Sequence, residues 1–328
     1  MSNYLKTVTI VGASGHVGLP IATSLLAHGK HIITALTRPT STSTLPAGLH
    51  AVNRVDFSSI PSLTAALAGQ DVLIVTLGVM TPADVQHRLI DAAIAVGVRY
   101  VMLNEWGIDI DDERLSKESG GGDAAWKIRE YATEKMKGGR TKWLALTNGS
   151  WYEHSLMIPG AFGFDFKEKR VTFYDVGRQR ISVSTWRQCG EAVAGLLALK
   201  VEHENEDGDE LSVSHFGNGP VYVSSFAVTQ REIFGSVLRV MGDKESEWTV
   251  DFENSEERRQ RGLELFKEGQ FAKGHVLRLY ARIFSPQGGA DHEAKVVNAE
   301  LGLKGEVLDE ATARAVELAK EGYRYGPH

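Results

Sequence analysis

Thr7-Val8-Thr9-Ile10-Val11-Gly12-Ala13-Ser14-Gly15-His16-Val17-Gly18 decides how this 328-residue chain is read. The residues from Thr7 to Val11 are all β-branched, which makes them a buried strand, and they run directly into glycine. Beyond the glycines, Val17, Ile21, Leu25 and Leu26 recur at helical spacing, and Gly29 is a stop signal. The turn between strand and helix therefore carries Gly12, Gly15 and Gly18. Gly12 permits the tight turn, Gly15 lets the backbone approach a ligand without a Cβ in the way, and Gly18 lets the helix pack closely on the sheet. The helix N-terminus adds unpaired N–H groups and the positive end of its dipole, which suits a pyrophosphate. With Ser14, His16 and Val17 between the glycines, this turn is the candidate cradle of a dinucleotide.

Outward from this turn, strand and helix signals alternate. Strands are expected at His31–Leu36, near His50–Val55, at Asp71–Leu77, at Arg99–Leu103 and at Lys142–Thr147. Helices are expected from Pro82, favoured at a helix start, to Val96, and over about 123–137. Repeated βαβ units imply a Rossmann-type doubly wound parallel sheet, which binds ligands beyond the carboxyl ends of its strands. After residue 155 the rhythm changes to short strand candidates at Arg170–Val176 and Gln179–Val183, and a helix near Arg187–Leu199. From about residue 224 the pattern is mostly helical and charged. The expected organisation is a nucleotide-binding domain over 1–155 and a smaller α+β substrate lobe over 156–328. The run from 202 to 210 carries six acids and no Lys or Arg, and reads as a solvated surface turn.

The end of the second strand selects the cofactor. An acidic residue there takes the ribose 2′-hydroxyl of NAD. This chain has Thr37-Arg38-Pro39-Thr40-Ser41 instead. Arg38 offers a planar guanidinium to a 2′-phosphate, and the hydroxyls add donors, so NADPH is expected over NADH. Thr76, Leu77 and Gly78, after the fourth strand, are expected to line the middle of the cofactor. Asn104, Glu105 and Trp106, after the fifth, border the nicotinamide. Asn148 and Trp151, after the sixth, cover its amide and its face.

Composition narrows the classes. Thirty-six Lys and Arg against 42 Asp and Glu give a net charge of −6, which argues against a nucleic-acid binder. The single cysteine, Cys189, builds neither an internal disulfide nor a thiolate zinc site, and fits a reducing compartment such as the cytosol. The eleven histidines show no ligand spacing, so no metal is expected. No apolar run reaches the length of a membrane span, and the N-terminus enters a strand too soon for a signal peptide. Ser150 lacks the G-x-S-x-G turn of a hydrolase.

Four stretches carry a resemblance to the atypical short-chain dehydrogenase/reductases, within them to the NmrA-like and isoflavone-reductase-like group. They are the glycine turn; Gln86 with the run from Leu89 to Leu103; Asn104-Glu105-Trp106-Gly107-Ile108-Asp109; and Lys127-Ile128-Arg129. The second half matches loosely, through Ser224-Ser225-Phe226 opening a helix that ends at Met241-Gly242. Asn104 and Trp106 stand where the group has Ser and Phe, and Arg129 follows Lys127 one position early. Asn148-Gly149-Ser150-Trp151-Tyr152 also resembles the quinone-reductase-like and regulator branches.

The resemblance implies an active-site lysine, and Lys127 stands about where it belongs, with Asp123 at the place of the usual tyrosine. Tyr131 and Lys135 have Tyr-x-x-x-Lys spacing but fall too late in their helix to reach the cofactor. Lys127 is therefore the candidate proton relay, and also a cofactor contact, with Glu105 anchoring its loop or orienting the lysine. Its alternative is a surface lysine paired with Asp123. Trp106, Trp151, Tyr152 and Phe162, with Phe164 and Phe166, are candidate lining for a flat aromatic or polyketide-like substrate; otherwise they are the seam between lobes. The leading expectation is an NADPH-dependent reductase of a small aromatic carbonyl, enone or benzylic substrate. The alternatives are an NADP(H)-binding redox sensor without catalysis, and an isomerase or dehydratase using bound cofactor. Related folds often dimerise, so a homodimer is an open expectation.

Overall fold

The computed structural model describes residues 2–78, 81–120, 122–203 and 211–322. The expected acidic surface turn therefore lies, from residue 204 to 210, outside the described residues. In chain order the first half carries β1 (Thr7–Val11), α1 (Gly18–His28), β2 (Ile32–Thr37), β3 (Ala51–Arg54), α2 (Ile60–Leu67) and β4 (Val72–Val75). It continues through α3 (Ala83–Ala95), β5 (Tyr100–Gly107), α4 (Glu113–Ser119), α5 (Gly122–Met136) and β6 (Lys142–Thr147). Local chemistry explains the ends. Gly29 takes the left-handed φ of +70° that stops α1, and the Ser59 hydroxyl accepts the Ser62 N–H at the start of α2, with Pro61 in the first turn.

The second half opens with β7 (Ser150–Trp151), α6 (Tyr152–Met157), β8 (Phe164–Asp165), β9 (Arg170–Tyr174) and β10 (Ile181–Ser184). Next come α7 (Trp186–Ala198), β11 (Gly219–Tyr222), β12 (Phe226–Val228), α8 (Gln230–Met241), β13 (Thr249–Glu253), α9 (Ser255–Lys267), α10 (Phe271–Ile283) and α11 (Leu308–Lys320). Helix α8 begins at a capping box of Thr229 and Glu232, so Ser224, Ser225 and Phe226 precede it rather than open it.

A seven-stranded sheet in the order β11-β6-β5-β4-β1-β2-β3, parallel at every pairing, forms the centre. This is the expected Rossmann-type architecture. One face is covered by α1 and α7 over a core of Ile10, Ile21, Leu25, Leu144, Val193 and Leu197; the other by α2, α3 and α5 over Leu63, Leu73, Leu89, Val101 and Ile128. Two of these parts, α7 and β11, come from beyond residue 155. The chain thus returns to the first sheet after leaving it, and the two layers interleave in sequence rather than part at residue 155.

The second lobe holds two three-stranded sheets, β12-β10-β7 and β13-β9-β8, among α4, α6 and α8–α11. Its core is aromatic, with Tyr152, Phe162, Phe173, Tyr174 and Phe284 fully enclosed. The run from residue 224 contains strands as well as helices. No helix among the described residues is long and apolar enough to cross a membrane.

Candidate cofactor and active site

The carboxyl ends of the parallel strands bring the turn after β1, Arg38 after β2, the Thr76-Leu77-Gly78 loop after β4 and Asn148 after β6 to one edge of the sheet. Gly12 sits there at φ +86°, and a Cβ on it would come within 2.1 Å of the Thr76 carbonyl oxygen. A Cβ on Gly18 would lie 2.1 Å from the Gly12 carbonyl oxygen and 2.6 Å from Thr76 Oγ1. These two glycines are therefore required by the fold itself, because the turn, α1 and the β4 loop share one contact point. Gly15 differs: its Cβ would meet only the Gly12 carbonyl oxygen, at 3.3 Å, so the turn alone does not demand glycine there. Thr76 closes the contact by donating its hydroxyl to the Val11 carbonyl at 2.8 Å. Val17, at the N-cap of α1, supplies no side-chain cap to the helix N–H groups. That leaves the helix end suited to an anion.

His16 stacks on Trp186 of α7, centroids 5.4 Å apart. Trp186 also lies 6.3 Å from His154, and Trp151 5.5 Å from His154. Burial, with the charge of His16, pushes the His154 imidazole down to about 3, so it is neutral at physiological pH.

Asn104, Glu105 and Trp106 lie within β5, which runs on to Gly107 past a break in register between Met102 and Trp106. Each spends its polar group on the protein. Asn104 Nδ2 donates to the Leu77 carbonyl and its Oδ1 accepts the Leu77 N–H, both at 3.0 Å. Buried Gln86 of α3 accepts the Asn104 N–H at 2.9 Å. The Trp106 indole N–H donates to the Val75 carbonyl at 2.9 Å. These bonds hold the Thr76-Leu77-Gly78 loop against β5. Glu105 does not turn to Lys127; it forms a buried forked pair with Arg129, which also reaches Asp111 and lies over the rings of Trp126 and Trp143. Burial pushes the Glu105 carboxyl up, and the Arg129 guanidinium draws it back. Arg129 belonged to a quoted stretch, but nothing in its spacing named Glu105 as its partner.

Asn148 is fully buried at the end of β6. Its Nδ2 donates to the Gly149 carbonyl at 3.3 Å, while Oδ1 has no partner among the described residues. The indole N–H of half-buried Trp151 is likewise without one. A buried acceptor without a donor is costly, and a carboxamide N–H is one group that would satisfy it. Arg38 is exposed after β2, and no ion pair holds its guanidinium among the described residues. The glycine turn, Arg38 and Asn148 together fit a nicotinamide dinucleotide.

Lys127 is exposed on α5, and neither a hydrogen bond nor an ion pair to Asp123 or any other described residue holds its ammonium. Helix α5 runs antiparallel to the strands it joins, so its first turns lie by their carboxyl ends. Tyr131, one turn further along the same side, donates to both Asp91 oxygens at 2.8 and 2.9 Å. Burial and that carboxylate push its phenol up to about 12, which rules it out as an activated acid.

Four expected lining residues are corrected. Tyr152 and Phe162 are wholly enclosed in the second core; the Tyr152 hydroxyl bonds Thr312 at 2.6 Å, and Phe162 packs on Tyr152, Tyr280 and Phe284. Phe164 and Phe166 pack on Trp248 in the same core. Cys189 is also enclosed, and burial pushes its thiol up, leaving it unreactive.

Residues 12–147 match the family model described as NAD(P)H-binding. Across 95% of its length the chain is 27% identical to oxidoreductase poxI of Penicillium oxalicum, covering 94% of that protein. It shares its fold with the crystal structure of an isoflavone reductase, at TM-score 0.70 and 17% identity over 96% of this chain and 99% of that one. The same fold appears in AtPrR2 with NADP+ and (+)pinoresinol, at TM-score 0.73 and 17% identity over 96% of this chain and 100% of that one. The likeness is therefore to NAD(P)H-binding proteins over residues 12–147 and to the isoflavone reductase fold over nearly the whole chain.

Proposed function

We propose that the protein is an NADPH-dependent reductase of a small aromatic or polyketide-like carbonyl, enone or benzylic substrate, with Lys127 as the proton relay. The observation that carries the reading is the pairing of the Gly12–Gly18 turn with an acid-free β2 end that presents Arg38 to solvent. Bound NADPH supplies the hydride. Around it, the turn and the N-terminus of α1 hold the pyrophosphate, Arg38 the 2′-phosphate, and Asn148 Oδ1 the carboxamide. The ammonium of Lys127, unencumbered by Asp123, gives its proton to the substrate oxygen and regains one from solvent. Trp151 and Trp106, both half-buried, remain as aromatic surface for the substrate; Tyr152 and Phe162 support the lobe behind them. The oxidoreductase name of the Penicillium relative and the pinoresinol bound by AtPrR2 favour a redox reaction on an aromatic ligand.

The test follows NADPH absorbance against a panel of aromatic ketones, quinones and enones. Turnover that falls at least a hundredfold in Lys127→Ala, with NADPH affinity retained, is the expected result. Tight NADPH binding without turnover on any of the panel overturns the enzyme reading in favour of a redox sensor. Undiminished turnover in Lys127→Ala overturns the relay.

A further inference from the structure

We infer that Arg54 is a second cationic element of the 2′-phosphate site and the residue that sets the shape of the Arg38 loop; the inference rests on the NADPH reading above. Arg54 ends β3 and is in register with Thr37, the last residue of β2. From there its Nη1 donates to the carbonyl oxygens of Pro39 at 2.6 Å and Ser41 at 3.1 Å, with a longer approach to that of Arg38 at 3.5 Å. The turn is closed by the Ser41 N–H on the Arg38 carbonyl at 3.0 Å.

This arrangement does two things for an anion. Carbonyl oxygens repel a phosphate, and here three of them are gathered onto one guanidinium. In a trans peptide the N–H points opposite to the C=O, so drawing the Pro39 and Ser41 carbonyls toward Arg54 turns the Thr40 and Thr42 N–H groups the other way. Arg54 has also used only Nη1; its Nε and Nη2 hydrogens have no partner among the described residues. The one carboxylate close in sequence, Asp56, is engaged with the N–H and hydroxyl of Ser58 at 2.8 and 2.6 Å. Arg54 therefore positions the loop and keeps donors for the phosphate that Arg38 faces.

The test is calorimetric titration of the intact protein with NADPH, NADH, 2′,5′-ADP and 5′-AMP. In Arg54→Met, affinity for NADPH and 2′,5′-ADP should fall about tenfold or more, as expected for lost charge-assisted bonds, while NADH and 5′-AMP change less than about twofold. Arg54→Lys, which keeps charge without the fork, should recover only part of the loss. Equal weakening of the ligands with and without the 2′-phosphate, or no change in either, overturns the role of Arg54. Arg38→Met separates the two readings. If it alters the NADPH-to-NADH ratio while Arg54→Met does not, only the Arg54 inference fails. If Arg38→Met leaves the ratio unchanged, the NADPH reading fails with it.

Discussion

Asn104 clasps the backbone of Leu77 from both sides, its amide donating to the carbonyl and accepting from the N–H at equal 3.0 Å distances. A side chain on one strand thus replaces the ladder where the neighbouring strand has ended, and it keeps the loop after β4 beside the glycine turn.

Cutting that clasp should loosen the loop more than the fold. Asn104→Ala is expected to cost about 1–3 kcal/mol, the range for a deleted side chain that leaves backbone groups unsatisfied. NADPH affinity should fall with it. Urea unfolding and calorimetric titration measure the two effects, and unchanged affinity would show that the loop does not line the cofactor.

Gly12 and Gly15 should part company on substitution. Gly12→Ala meets a carbonyl at 2.1 Å from a left-handed backbone, and is expected to lose about 2–5 kcal/mol of stability. Gly15→Ala meets nothing nearer than 3.3 Å and should melt within a few degrees of the parent, yet bind NADPH at least tenfold more weakly. Full-strength binding by Gly15→Ala would mean that no pyrophosphate approaches there.

The Glu105–Arg129 pair predicts a non-additive result. Arg129→Met leaves a buried carboxylate uncompensated, at about 3–5 kcal/mol. Adding Glu105→Gln removes that charge, so the double variant should be more stable than Arg129→Met alone. Chemical denaturation of the two variants decides; a double variant that is weaker still contradicts the pairing.

Asp309 joins α11 to α8 through a forked pair with Arg239, at 2.8 and 2.7 Å, and a bond from Ser236 at 2.6 Å. The Arg239 and Ser236 bonds draw its carboxyl down to about 2. A carboxyl depressed in the folded state gives stability that is present above its unfolded pKa and lost as pH falls through the folded value. The stability gap between parent and Asp309→Asn should therefore be constant above about pH 5 and shrink toward pH 2. A gap independent of pH would remove the ion pair from the account.

The nucleotide half was legible because its signals are local. A β-branched run ending in glycines, or Gly29 after a periodic helix, specifies its own geometry, and β6 lies where its residues put it. The losses are tertiary. The aromatic run from Trp151 to Phe166 has one composition whether it faces a cleft or fills a core, and only the packing of Phe162 on Tyr280 and Phe284, far along the chain, decides. Likewise Glu105 reads as a loop acid until β5 is seen to continue and turn it toward Arg129. The spacing of Gly219-Pro220-Val221-Tyr222 says nothing of a place beside β6, since a strand of four residues with a proline carries almost no periodicity.

That late strand has a consequence for biosynthesis. When residue 155 leaves the ribosome, the sheet still lacks its outermost member, and the apolar face of α1 still lacks α7, which is complete only at Ala198. Ile21 and Leu25, enclosed in the finished protein, must wait for that cover. The cofactor cradle is therefore translated well before the elements that secure it. A fragment cut at residue 155 should be a sticky, chaperone-dependent intermediate rather than a transferable nucleotide-binding module.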